Sequence, residues 1–207
     1  MKKLLAILSF IPLVALPVAS PQSIENATIE REEYAVYSAM IADYAYEEKG
    51  TMVIANPTFT RSETINLKDL QFFSIGLKVV QIASASPTPP LLQATLDDFL
   101  RRNHTNRWLN PRFEMNSKYV LVDFRDIKKL VSDFSPMDQE WKAFFKEYPE
   151  SHGFVTLSRV GFNRQMDQAL VHAGWSCPGL CGHWSFLMLA KKDGAWKVVG
   201  EANRVVS

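Results

Sequence analysis

The amino-acid sequence predicts an α+β fold, with a C-terminal antiparallel β-meander of about four strands and helices packed on one of its faces. Two observations lead there. Apolar residues recur at helical spacing, between recognisable caps and stops, in stretches of residues 28–148, whereas the last third consists of apolar runs joined by short turns. Short connections favour antiparallel neighbours, and a sheet with an apolar face is covered by helices.

Over residues 28–48, Ile29, Val36, Tyr37, Met40, Ile41 and Tyr44 fall on one stripe, Glu30, Glu32 and Glu33 stand in the expected first turn, and Gly50 stops the run. The apolar stretch 52–55, ended by Asn56-Pro57, reads as a strand entering a turn. Residues 71–82 fit strand and helix equally. Pro89 and Pro90 are placed to open a helix in which Leu92, Leu96, Phe99 and Leu100 share a face and Arg101, Arg102 and Asn103 close the far end. A strand is expected over 118–124. Ser135-Pro136-Met137-Asp138 combines a serine cap, a proline at the first helical position and an acid three residues after the cap. Met137, Trp141, Phe144, Phe145 and Tyr148 then form a single apolar stripe, and Pro149 ends it. The meander is expected over 154–162, 168–175, 183–191 and 195–206, with Asp193-Gly194 as a hairpin turn. Trp184, Phe186 and Met188 would fill one face of its third strand and Leu187 and Leu189 the other, as in a central strand.

Met1-Lys2-Lys3 precedes an apolar run over 4–19, the pattern of a secretory signal. The expected organisation is a signal peptide over 1–23 and a single globular domain over 24–207, secreted or periplasmic. Pro12 and Pro17 interrupt the run, which falls short of the roughly 20 residues a spanning helix needs, so no stable membrane span is expected after cleavage. Losing Lys2 and Lys3 removes two of 23 basic residues and none of the 22 acidic ones, which turns a net charge of +1 into −1 and argues against nucleic acid as a partner. Hydrophobic content of 47% is that of an ordinary globular chain.

The only two cysteines, Cys177 and Cys181, lie between His172 and His183. Two thiolates and two imidazoles at such spacing suit a Cys2His2 metal site. Against that reading, Pro178-Gly179 is a turn pair that folds the chain back, and an exported chain meets oxidising conditions. A Cys177–Cys181 disulfide is therefore expected, with no metal and no cofactor. So short a loop would contribute only about 2 kcal/mol. Arg159, beside Ser158, lies in a segment that otherwise reads as core, where its charge meets an anionic ligand, pairs with a carboxylate such as Glu201, or is simply exposed on one sheet face. Arg159, His172 and His183 are thus the candidate ligand-binding residues. Arg101, Arg102, Arg107 and Arg112 cluster near His104 and Trp108, a set that suits an anion, a carbohydrate or simply the end of a helix. His152 falls in a turn. Asn26-Ala27-Thr28 and Asn103-His104-Thr105 are glycosylation triplets. Neither a Gly-x-Ser-x-Gly elbow, a His-Glu-x-x-His pair nor a glycine-rich phosphate loop occurs.

The stretches EEYAVYSAMI at 32–41, YPESHGFVTLSRVGFN at 148–163 and QALVHAGWSCPGLCGHWSFLMLAKKDGAWKV at 168–198 resemble a group of uncharacterised exported bacterial proteins. These share a Leu-Ser-Arg-Val-Gly-Phe strand, a Cys-Gly-x-Leu-Cys-Gly loop and a terminal hairpin bearing tryptophan. Here Pro178 and Gly179 stand between the cysteines, and His183 replaces a small residue. The resemblance implies a bacterial origin and carries no activity. With no acid–base or nucleophile set in view, the sequence reads as a non-enzymatic exported domain that binds a small molecule or protein. The alternative is a hydrolase or metal-dependent enzyme using His172, Cys177, Cys181 and His183.

Overall fold

The computed structural model describes residues 20–44, 50–60, 70, 89–131, 141–179 and 182–206. The signal-like run, the ambiguous stretch 71–82 and the Ser135-Pro136 cap lie outside them. Helix α1 spans Pro21–Tyr44, and strand β1 follows at Thr51–Asn56. Then come α2 (Gln93–Arg102), β2 (Lys118–Asp123), α3 (Phe124–Leu130) and α4 (Lys142–Glu147). The chain finishes with β3 (Phe154–Leu157), β4 (Gly161–Phe162), β5 (Gln168–Ser176), β6 (His183–Lys192) and β7 (Ala195–Val206). No helix among the described residues is long and apolar enough to cross a membrane.

All seven strands form one mixed sheet in the order β2-β1-β3-β5-β6-β7, with β4 also paired to β5. Its C-terminal part is antiparallel from β3 to β7, as the turns predict, and Asp193 and Gly194 both take positive φ in the last hairpin. The simple meander is nevertheless only part of the sheet. Strand β1 runs parallel to both β2 and β3, so two strands from the N-terminal half extend it. Residues 154–162 do not make one strand either: the segment leaves the ladder between Leu157 and Gly161, where the Ser158 and Arg159 backbones turn to side-chain partners.

Helices cover both faces, not one. Alternation along each strand sends Ile54, Val155, Leu157, Val171, Leu187 and Leu189 to the face packed by Tyr34, Tyr37, Met40 and Ile41 of α1 and by Phe113. The opposite face carries two separate clusters. At one end, Leu96 and Phe99 of α2 pack on Leu170, Phe186 and Met188. At the other, Ile127 of α3, Val131, Trp141 and Phe144 pack on Val53, Ala55 and Phe154. Trp141 is buried and stacks on Phe154, whereas Phe145 is only half-buried and Phe144 takes the innermost position.

Two helix starts differ from expectation. Helix α1 begins earlier, at a cap where the Ser23 N–H donates to Ser20 Oγ at 3.3 Å, so Glu32 and Glu33 stand mid-helix and serve tertiary contacts instead of the dipole. In α2 the prolines remain outside and Leu92 is extended. The buried Gln168 side chain replaces a local cap: its Oε1 accepts from the Leu92 N–H at 2.8 Å and from Thr95 Oγ1 at 2.9 Å, and its Nε2 donates to the Pro90 carbonyl at 3.0 Å. Gly161 lies so close to the α2 backbone at Phe99 that any Cβ would overlap it.

Candidate functional site

Between the two helical clusters on their shared face, one strip of sheet is left without a covering helix among the described elements. Thr156, His172, Gly174 and Trp184 occupy it, because β3 pairs Thr156 with Gly174 and β6 sets Phe186 and Trp184 opposite His172 and Gly174. This strip floors a cleft of about 640 Å³ at the carboxyl ends of the parallel strands. Its walls are Pro57 to Thr60 after β1, Phe124 and Arg125 after β2, and Asn106 and Trp108. Carboxyl ends of parallel strands are where open α/β sheets receive ligands, since the chain leaves the ladder there and spreads into loops.

The wall bearing Trp108 is fixed to β1 from both sides. Thr58 exchanges two hydrogen bonds with Arg107: its N–H donates to the Arg107 carbonyl at 2.9 Å, and its Oγ1 accepts from the Arg107 N–H at 2.9 Å. Asn56 does the same with Leu109, donating from Nδ2 to the carbonyl at 3.2 Å and accepting at Oδ1 from the N–H at 2.8 Å. A buried asparagine amide thereby stands in for a strand neighbour. Pro57, between these two residues, follows a cis peptide bond. Trp108 is clamped through the backbone on either side, yet its side chain is 55% exposed.

On the floor, the indole of Trp184 lies over Gly174, where a Cβ would collide with its Cδ1 and Nε1. His172 stacks on Phe186 with centroids 4.4 Å apart and meets Phe59 edge-on at 5.2 Å. Its backbone is held by Ser158, whose Oγ accepts from the His172 N–H at 2.9 Å. At the mouth, Asp123 caps α3 by accepting the Arg125 N–H at 2.9 Å, and it also takes the Arg125 guanidinium at 2.6 Å. Hydrogen bonds from the Arg125 side chain and then its backbone pull the Asp123 carboxyl down to about 2, while the Arg125 guanidinium is raised by the same contact. The pair stays ionised and is internally neutralised.

Arg159 does not reach Glu201. Its Nε lies 3.5 Å from Glu33, a buried carboxylate on α1. Arg107 Nη1 stands 3.4 Å from the same group and Arg102 Nη1 3.8 Å away, while the Val160 N–H donates to it at 3.1 Å. Tyr37 shares its single proton between the Ser158 carbonyl at 2.8 Å and Glu33 at 3.2 Å. Burial, reinforced by the Glu33 charge, raises the Tyr37 hydroxyl well above its ordinary value, so it remains a donor. Asp98 completes the knot, accepting Arg102 Nε and the Phe162 N–H at 2.9 Å each. The arginines near residue 107 therefore turn to acids of α1 and α2, with Arg107 and Arg112 also meeting Glu30 at 3.0 and 3.4 Å.

The register separates the two candidate histidines. His172 pairs with Phe186 and faces the cleft, whereas His183 pairs with Trp175 on the α1 face, so the sheet stands between them. No group of three or more His, Cys, Asp or Glu side chains with metal-binding geometry occurs among the described residues. Cys177 is buried, and no cysteine among the described residues is free; Cys181 lies outside them. His104 and His152 are exposed. Asn103 is buried and bonded to the Phe99 and Arg159 carbonyls and the Arg159 N–H, which leaves its amide closed to glycosylation in the folded chain.

Sequence reasoning missed Asn56, Thr58, Phe59, Thr156 and the Asp123–Arg125 pair. The one local signal was polar residues bracketing Pro57 at the end of an apolar strand. Fold and site together define a mixed-sheet α+β domain with an aromatic cleft at the ends of its parallel strands. No protein-family model, curated protein or solved structure matches the chain.

Proposed function

We propose that this chain is an exported binding protein that holds a small neutral molecule in the cleft at the carboxyl ends of its parallel strands. The observation that carries the proposal is the cleft itself. Its volume of about 640 Å³ falls within the range of small-ligand sites. It also combines rings from Phe59, Trp108, Phe124, His172 and Trp184 with a few hydroxyl and amide groups, the composition such sites share. The signal-like N-terminus supports export, and a Cys177–Cys181 bridge in the β5–β6 connection would suit that environment. The competing enzyme reading draws on both His172 and His183, which lie on opposite faces of the sheet, and binding is favoured for that reason.

Ligand-observed NMR with a library of aromatic and saccharide fragments tests the reading. Binders should appear with the wild-type chain and disappear with Thr156→Trp, which fills the floor, and with Asn106→Trp, which narrows the exposed rim without touching the core. Binding that ignores both substitutions, or no binding at all, would overturn it.

A further inference from the structure

We infer that the ligand is a neutral saccharide, one ring of which stacks on Trp108 while a second approaches Trp184. The inference rests on the cleft reading above and narrows it to one chemical class.

Trp108 is the starting point. Leu92 and Trp108 are the exposed large hydrophobic side chains among the described residues. A single exposed apolar residue is ordinary on a protein surface. Trp108 differs in how it is held: Asn56 and Thr58 together supply four hydrogen bonds to the backbone of Leu109 and Arg107, immediately on either side of it. The fold thus fixes the backbone beneath an indole that it leaves in water. A partner that covers this ring orders no loop in doing so, and lower ordering costs are what preorganisation contributes to affinity.

Charge then narrows the class. The two charged side chains of the cleft, Asp123 and Arg125, are bonded to each other. The guanidinium of Arg107, next to Trp108, is directed to Glu30 and Glu33. Among the described residues the charges at the cleft are paired with opposite charges, so a phosphate or carboxylate would meet little net positive charge there. What remains are aromatic faces beside the neutral polar groups of Thr60, Asn106 and Thr156. An aromatic face is electron-rich and attracts C–H groups that carry partial positive charge. A pyranose presents such C–H groups on its faces and hydroxyls around its edge, so it meets both components at once. A purely aromatic ligand would desolvate the polar groups without bonding them.

The test is titration of the secreted chain with chitotetraose, cellotetraose and maltotetraose, followed by tryptophan fluorescence and by calorimetry. At least one tetrasaccharide should bind, and Trp108→Ala should weaken it about tenfold or more, the effect of losing one well-formed stacking contact. Trp108→Phe should lose less, and glucose 6-phosphate should bind no tighter than glucose. Melting temperatures of the Trp108 variants should match the wild type, since the side chain is exposed. Failure of all three sugars, or binding indifferent to Trp108→Ala, overturns the saccharide assignment. If the sugars fail while indole or another aromatic fragment binds and Thr156→Trp blocks it, the assignment falls and the cleft reading stands. If neither sugars nor fragments bind, both fall.

Discussion

Around Glu33 the molecule gathers charge about a buried carboxylate; in the cleft it leaves aromatic rings where water can reach them. Both regions invert the usual placement of polar and apolar groups, and they do so for different ends. The Glu33 knot ties α1, α2, the 106–112 segment and the break between β3 and β4 to one carboxylate. Every charge in it has an opposite charge beside it, although Arg102 Nη1 and Arg159 Nε are held by that attraction alone, without a hydrogen bond. In the cleft, folding alone does not require Trp108 to be exposed on a clamped backbone. Substitutions in the first region should register as stability, and substitutions in the second as binding.

Glu33→Ala tests that division most severely. Removing this carboxylate leaves Arg159 without its acid, while Arg102 keeps Asp98 and Arg107 keeps Glu30, and breaking a largely buried pair in this way costs about 3 to 5 kcal/mol. Urea denaturation should show that loss; a change below about 0.5 kcal/mol would mean that water screens the knot. Trp141→Ala probes the apolar wall behind the cleft and should cost about 3 to 5 kcal/mol through the cavity it leaves beside Phe154. A smaller effect follows from the cysteines. Mass spectrometry of unreduced secreted protein should give a mass two hydrogens below the reduced form, and the Cys177→Ala, Cys181→Ala double variant should still fold with about 2 kcal/mol less stability.

Glu32 offers a pH-dependent version. Burial alone would raise its carboxyl, but hydrogen bonds from Lys191 and Trp196 Nε1, each at 2.8 Å, prevail and lower it below 4.5. The folded state therefore holds this proton more weakly than the unfolded chain, so the stabilisation is present above pH 4.5 and fades as the pH drops through the lowered value. The melting temperature of wild type should exceed that of Glu32→Gln at about pH 7, and the gap should narrow as the pH falls below 4.5. A gap that is constant with pH would show that the pair contributes shape and not charge. At the small end stands Trp108→Ala, which should change stability by no more than about 0.5 kcal/mol while it weakens binding. A large stability loss there would dissolve the contrast between the two regions.

The helical stripe of α1, the turn at Asp193-Gly194 and the alternation of β6 were legible in sequence because each is local: neighbours three, four or two residues apart decide which side faces the core. The α2 start misled because its cap comes from Gln168, more than seventy residues away. Helix α3 was missed for a different reason, because its signal is local and was hidden in an apolar run. Residues 118–124 read as continuous strand, but Asp123 caps the first turn through Arg125 and converts Phe124 to helix. The segment 154–162 looked like one strand, and it breaks because Asn103 and Tyr37 offer its backbone partners that compete with the ladder.

Sequence by itself determined the α+β class, the antiparallel order of the last four hairpin-linked segments and the burial of Trp141 and Phe144, whereas Phe145 and Tyr148 of the same stripe stay half-buried. The parallel placement of β1 between β2 and β3, the division of helices between two faces and the cleft left between them were decided only by tertiary structure. The physical reason is range. A turn or an amphipathic stripe is specified by residues in contact along the chain, whereas Asn56 with Leu109, Glu33 with Arg159 and Thr156 with Gly174 and Trp184 meet only after distant strands have found their register. The convergence that brings Trp108 and Trp184 to one cleft belongs to that register.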